Sequence, residues 1–230
     1  MAYQEGVRLC REGLYAEAKP FLQEPTDHHR FWLAKCELEL GDSQRALELF
    51  HACRVTVPNA FLIIAKLTPE PEHSLKLGAH LKDPDCAYEL GLLYYSSAKP
   101  LRAVKYFNMV LNRCTTRNGE VFYALGALYL KTPNQRAKGI RFLECAVQEG
   151  YESATDLLEQ ITDLLRPLRD ASLNVKEMKK LAAEEASAAN FFNLAMAETK
   201  LGETLLNLDK AAALQHPKAL SILKTVTEFV

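Results

Sequence analysis

The chain has 230 residues, 48% hydrophobic and 25% charged, a balance that supports a packed core and excludes the hydrophobe-poor composition of a disordered chain. Its 28 Lys and Arg stand against 29 Asp and Glu, a formal net charge of -1, so no chain-wide electrostatic attraction draws it to nucleic acid or anionic lipid. The longest apolar runs, such as 61–65, fall far short of the ~20 residues that cross a bilayer, so no membrane insertion is expected.

In chain order, the elements follow from apolar periodicity and its punctuation. The polar start Met1-Ala2-Tyr3-Gln4-Glu5 enters a helical pattern directly, without the basic start and apolar stretch of a secretory signal, which favours the cytoplasm, with the nucleus also open. Helices are expected near 2–12, 14–23, 28–40, 43–56, 59–67, 71–81, 85–97, 100–113, 119–131, 134–149, 152–165, 171–187, 189–201, 204–215 and 217–228, and no strand is needed. Most prolines, among them Pro58, Pro71, Pro84, Pro100 and Pro217, mark helix starts or breaks. Gly13, Gly41, Gly150 and Gly202 follow periodic stretches and read as C-terminal stops, whereas Gly91 and Gly126 lie inside them and read as packing positions.

A small residue, a second one twelve positions on and an aromatic four beyond recur through the chain. The copies are Ala34, Ala46 and Phe50, then Gly91, Ala103 and Phe107, then Gly126, Lys138 and Phe142. Leu90-Gly91 is followed by Tyr94, and Leu125-Gly126 by Tyr129. Lys138 breaks the rule, and with Ala137 one place early a one-residue slip after Pro133 is expected. The pattern resembles the tetratricopeptide repeat, two antiparallel helices in about 34 residues. The stretches 141–154 and 208–220 resemble its Sel-like subclass, in which a helix ends in Ala-Ala-x-x-Gly and the next begins near an alanine.

The resemblance implies an all-α, right-handed superhelical solenoid of antiparallel helix pairs, about six to seven of them, some irregular. A single domain over 1–230 is expected, with its best repeats at 27–59, 84–117 and 118–151. Phe50 and Phe107 stand closer than two full periods, so the unit at 60–83 is truncated and the most irregular stacking is expected there. The unit at 155–188 is divergent, and 189–230 holds a Sel-like unit and a cap. Phe50, Tyr94, Phe107, Tyr129 and Phe142 read as core, as does Trp32.

Little in the sequence carries catalytic chemistry. His28, His29 and Cys36, or His73, His80, Asp83 and Cys86, lack the ligand spacing of a metal site, because adjacent histidines diverge around a helix and seven residues span two turns. No phosphate-binding loop or nucleophile elbow occurs, so neither cofactor nor catalytic residue is expected, and an enzyme is not. The six cysteines have no C-x-x-C pair and read as reduced thiols packing as small hydrophobes. Cys114, beside Arg113 and Arg117, is the one candidate for a reactive thiol, against an ordinary cysteine at a helix end.

By the resemblance, first helices line an inner surface that holds a peptide or helix of a partner protein. The frame selects Phe31, Lys35, Tyr88, Leu92, Tyr95, Tyr123, Leu130 and Lys131 for it, with lateral packing as the other role for the three tyrosines. The family's carboxylate clamp of Lys, Asn and Arg is not matched, since the asparagines are absent. The alternative to this adaptor is a structural subunit that homodimerises or joins a larger assembly through its edge helices.

Overall fold

A computed structural model of the chain describes residues 2–112, 117–170 and 172–230. Among the described residues there are fifteen α-helices and no strand, and they cluster into two compact units, Met1–Arg113 and Cys114–Val230. The first holds α1 (Ala2–Arg11), α2 (Tyr15–Ala18, continued by a 3-10 segment Lys19–Leu22), α3 (Asp27–Glu39), α4 (Ser43–Cys53), α5 (Asn59–Leu67), α6 (Pro71–His80), α7 (Pro84–Ser96) and α8 (Pro100–Leu111). The second holds α9 (Asn118–Lys131), α10 (Arg136–Gln148), α11 (Glu152–Leu165), α12 (Val175–Glu184), α13 (Ala188–Ala197), α14 (Leu201–Ala213) and α15 (Pro217–Glu228).

Helix starts follow local chemistry. Asp42 accepts the Arg45 amide at 2.9 Å, Asp83 the Cys86 amide at 2.8 Å and Ser187 the Asn190 amide at 3.2 Å, each satisfying a donor that the first turn leaves open. Six of the described helix ends share one geometry, a residue with positive φ beside which amides reach back to carbonyls of the last turn. Glycine occupies it at Gly13, Gly41 and Gly150, with φ of 81°, 96° and 77°. Lys82, Ala98 and Gln215 occupy it after α6, α7 and α14, with φ of 69°, 53° and 64°. Lys99 N–H, for instance, donates to the Tyr94 carbonyl at 2.9 Å. Gly202 departs from its expected role: α13 ends at Ala197, and Gly202 lies in the first turn of α14.

In the first unit, helices pack as consecutive pairs, α3 with α4, α5 with α6 and α7 with α8, joined by turns too short for anything but an antiparallel return. Each pair packs on the next through α4 against α5 and α6 against α7. Small residues set the approach. A methyl group at Gly91 would lie 2.6 Å from a ring carbon of Phe107, and Ala34, Ala46, Phe50, Ala103 and Phe107 are fully buried.

The second unit keeps this device with a changed register. A methyl at Gly126 would lie 2.7 Å from Leu143 and 3.1 Å from the Gly139 carbonyl. The slip expected near Lys138 is therefore real but runs the other way, with Gly139 and Leu143 in place of Lys138 and Phe142. Phe142 consequently leaves the seam. It is half-buried, stacked on Tyr129 with centroids 5.5 Å apart. The same shift puts Ala146 in the core and leaves Cys145 half-buried.

Further along, α11 packs on α10, α13 on α14, and α14 returns to α10. One core runs through α9, α10, α11, α13, α14 and α15, whereas α12 rests on α13 and buries only Ala182. Arg136 of α10 and Asp209 of α14 form a buried ion pair beneath this return. The Asp170 amide donates to the Met196 carbonyl at 3.1 Å, and Arg169 to that of Thr199 at 2.9 Å, fastening the connection before α12 to the end of α13.

Candidate functional site

The first unit presents two adjoining hollows on either side of α5. One, about 430 Å³, lies between α5, α6 and α7 and is walled by Leu62, Ala65, Lys66, Pro71, Leu75, Glu89, Leu92, Leu93, Tyr95 and Ser96. The other, about 480 Å³, is walled by Cys10, Arg11, Tyr15, Trp32, Lys35, Leu38, Glu39, Ile63, Lys66 and Leu67. Lys66 belongs to both. The cause lies in the truncated unit, whose helices of 9 and 10 residues stand beside α3 and α7 of 13 residues each. Phe61, Ile64 and Ala65 of α5 are buried, while Leu62 and Ile63 are half-buried at the two hollows. A helix apolar on more than one face has something to cover on each.

The rim is basic. Arg11 lies 5.8 Å and Lys35 4.6 Å from the centroid of the Trp32 ring, positions that favour a cation over the ring face. Among the described residues neither they nor Lys66 make an ion pair. Glu39 and Glu89 are the acidic wall residues. In the second hollow the Cys10 thiol lies 2.9 Å from that of Cys36 across α1 and α3.

Of the residues selected from sequence, Lys35, Leu92 and Tyr95 line these hollows. Phe31 and Leu130 do not reach a surface: they are core residues, 8% and 0% exposed, because each sits on the face of its helix that meets its partner. Tyr88 leans on Phe107 with centroids 6.2 Å apart. In the second unit Tyr123 packs on Tyr151 at 5.2 Å, and Lys131 is exposed at the end of α9. Trp32, read as core, is half-buried and walls the second hollow. Leu62, Ile63 and Lys66 went unselected although they lie in or beside the longest apolar run, which is the signal that marks them.

Among the described residues no group of three or more His, Cys, Asp or Glu side chains could hold a metal ion. His29 is buried, its Nδ1 2.6 Å from Thr26 Oγ1, and Asp83 serves as the cap of α7. Cys114 lies outside the described residues. Burial pushes the Cys53 thiol up to about 11, away from reactivity. No helix among the described residues is long and apolar enough to cross a membrane.

No curated protein matches the chain. The family model of the tetratricopeptide repeat matches residues 30–60, which are most of α3, all of α4 and the entry to α5. That helix pair is a tetratricopeptide repeat by this match, and α7 and α8 repeat it structurally, with Gly91, Ala103 and Phe107 at the same offsets.

Proposed function

We propose that the protein is a non-catalytic adaptor that binds an amphipathic helix of a partner protein across α5, with apolar side chains in the two hollows and acidic ones beside Arg11, Lys35 and Lys66. Tetratricopeptide repeats mediate protein–protein interaction, and the observation that carries the reading is the pair of apolar hollows that share Lys66, the second of them rimmed also by Arg11 and Lys35, with none of the three cations in an ion pair among the described residues. Helix in groove suits this surface. Among the described residues no sheet edge exists for an added strand. The Sel-like reading of 141–154 and 208–220 is proposed with it, supported by the positive φ of Gly150 and the full burial of Ala154 and Ala219.

Selection from a displayed library of helical peptides on the intact chain tests the reading. Binders carry an apolar stripe flanked by Asp or Glu, and Leu62→Glu weakens them at least about tenfold, roughly 1.4 kcal/mol, with the circular dichroism unchanged. Raising salt slows association, since rim charge governs encounter. Binders indifferent to Leu62→Glu and Tyr95→Ala place the contact elsewhere and defeat the proposal. The alternative, a subunit joined through edge helices, draws on exposed Leu220 and Phe229 at 44% and 37%; a dimer mass in sedimentation that Leu220→Lys abolishes would favour it.

A further inference from the structure

We propose that Cys10 and Cys36 are a redox-active dithiol, which closes to a disulfide between α1 and α3 when a low-molecular-weight disulfide enters the second hollow. Their sulfurs stand 2.9 Å apart, so bonding needs an approach of about 0.9 Å to reach a normal S–S length. Among the described residues no other two thiols are in contact; Cys53, for example, donates to the Phe50 carbonyl instead. The chain between the two cysteines folds back through the turn at Gly13 and the cap at Thr26, so sequence spacing alone hides the pair.

The two sulfurs have different access, and that orders the steps. Cys10 is 5% exposed and walls the hollow, whereas Cys36 is 0% exposed behind it. Arg11, Lys35 and Lys66 around the mouth attract an anionic disulfide such as oxidised glutathione. The Cys10 thiolate attacks one glutathione sulfur, the glutathione S–S bond breaks, and the first glutathione leaves and takes a proton. Cys36, which burial first and then the neighbouring Cys10 push up to about 12, is a poor nucleophile toward solvent, but contact with the mixed disulfide substitutes proximity for acidity. Its sulfur attacks that of Cys10, its proton goes to the second departing glutathione, and the Cys10–Cys36 bond forms. Two protein thiols are oxidised and one glutathione disulfide is reduced to two thiols.

The test equilibrates the folded full chain with oxidised glutathione, quenches with acid, alkylates under denaturing conditions and maps peptides by mass. The expected result is a species lighter by two hydrogens, with the Cys10 and Cys36 peptides joined, two alkylation sites lost, reversal by dithiothreitol and a raised Tm. Cys36→Ala stops at the Cys10 mixed disulfide, and Cys10→Ala leaves Cys36 free of adduct. The wild-type map stands even if either variant folds poorly. Both cysteines remaining alkylatable at equilibrium, a link joining a different pair, or a link that lowers Tm would each overturn the proposal.

Discussion

At Gly91 the backbone of α7 meets the ring of Phe107, and a single added methyl would stand 2.6 Å from it. Both positions are buried without slack, so Gly91→Leu is expected to cost about 1–3 kcal/mol by overpacking; thermal melts decide, and an unchanged Tm would refute the seam. Ala98 presents the opposite case, an L residue held at φ 53° where glycine is at ease. Ala98→Gly is expected to raise the urea midpoint by relieving up to about 1 kcal/mol, and a lowered midpoint would count against strain at that turn. Asp27 sits between the Thr56 hydroxyl, 2.6 Å away, and Arg30, 2.9 Å away. These two contacts, in that order, hold its carboxyl below the usual range. A depressed folded pKa supplies stability above the unfolded value of about 3.9 that fades as pH falls through the folded one. The Tm gap between wild type and Asp27→Asn should therefore be wider at pH 7 than at pH 2; an equal gap at both would remove the carboxylate from the account.

Elements are joined by different means in the two units. In the first, seams of small residues and rings suffice, and Tyr94 adds a hydrogen bond from its hydroxyl to Glu72 at 2.8 Å, tying α7 to α6. In the second, the return of α14 onto α10 buries Arg136 and Asp209, whose side chains are 9% and 3% exposed. Removing one partner strands the other charge, so Asp209→Ala is expected to cost about 3–5 kcal/mol in chemical denaturation, whereas Arg136→Met with Asp209→Leu should recover most of it. A single variant as stable as wild type would show the pair to be idle. The shortness of α5 and α6 has the reverse effect: helices that end early leave apolar wall uncovered, and the hollows lie there.

For the whole molecule, periodicity and punctuation determined the helical class and nearly every helix, because an amphipathic stripe, an N-terminal proline and a capping side chain act within a few residues. The bounds of α5 and α15 agree with the sequence reading at both ends, and those of α12 are shorter, since 172–174 turn before the Asn174 cap. The frame of small and aromatic residues was legible in the first unit, where turn lengths are regular. It failed by one residue at Gly139, because a turn after Pro133 shifts register without changing composition.

Sites were less legible than helices. Helical spacing picks out Lys35 on α3 and Leu92 and Tyr95 on α7, which line the hollows, but Phe31 and Leu130 are core, because the same spacing cannot tell which neighbour covers a face. By itself the sequence determined local geometry: where chains turn, which residues cap, which faces are apolar. Only the tertiary structure decided which apolar faces stay uncovered, that α14 skips three helices to reach α10, and that Cys10 meets Cys36. Those depend on the packing of segments far apart in the chain, which burial of side chains sets and no short-range pattern encodes.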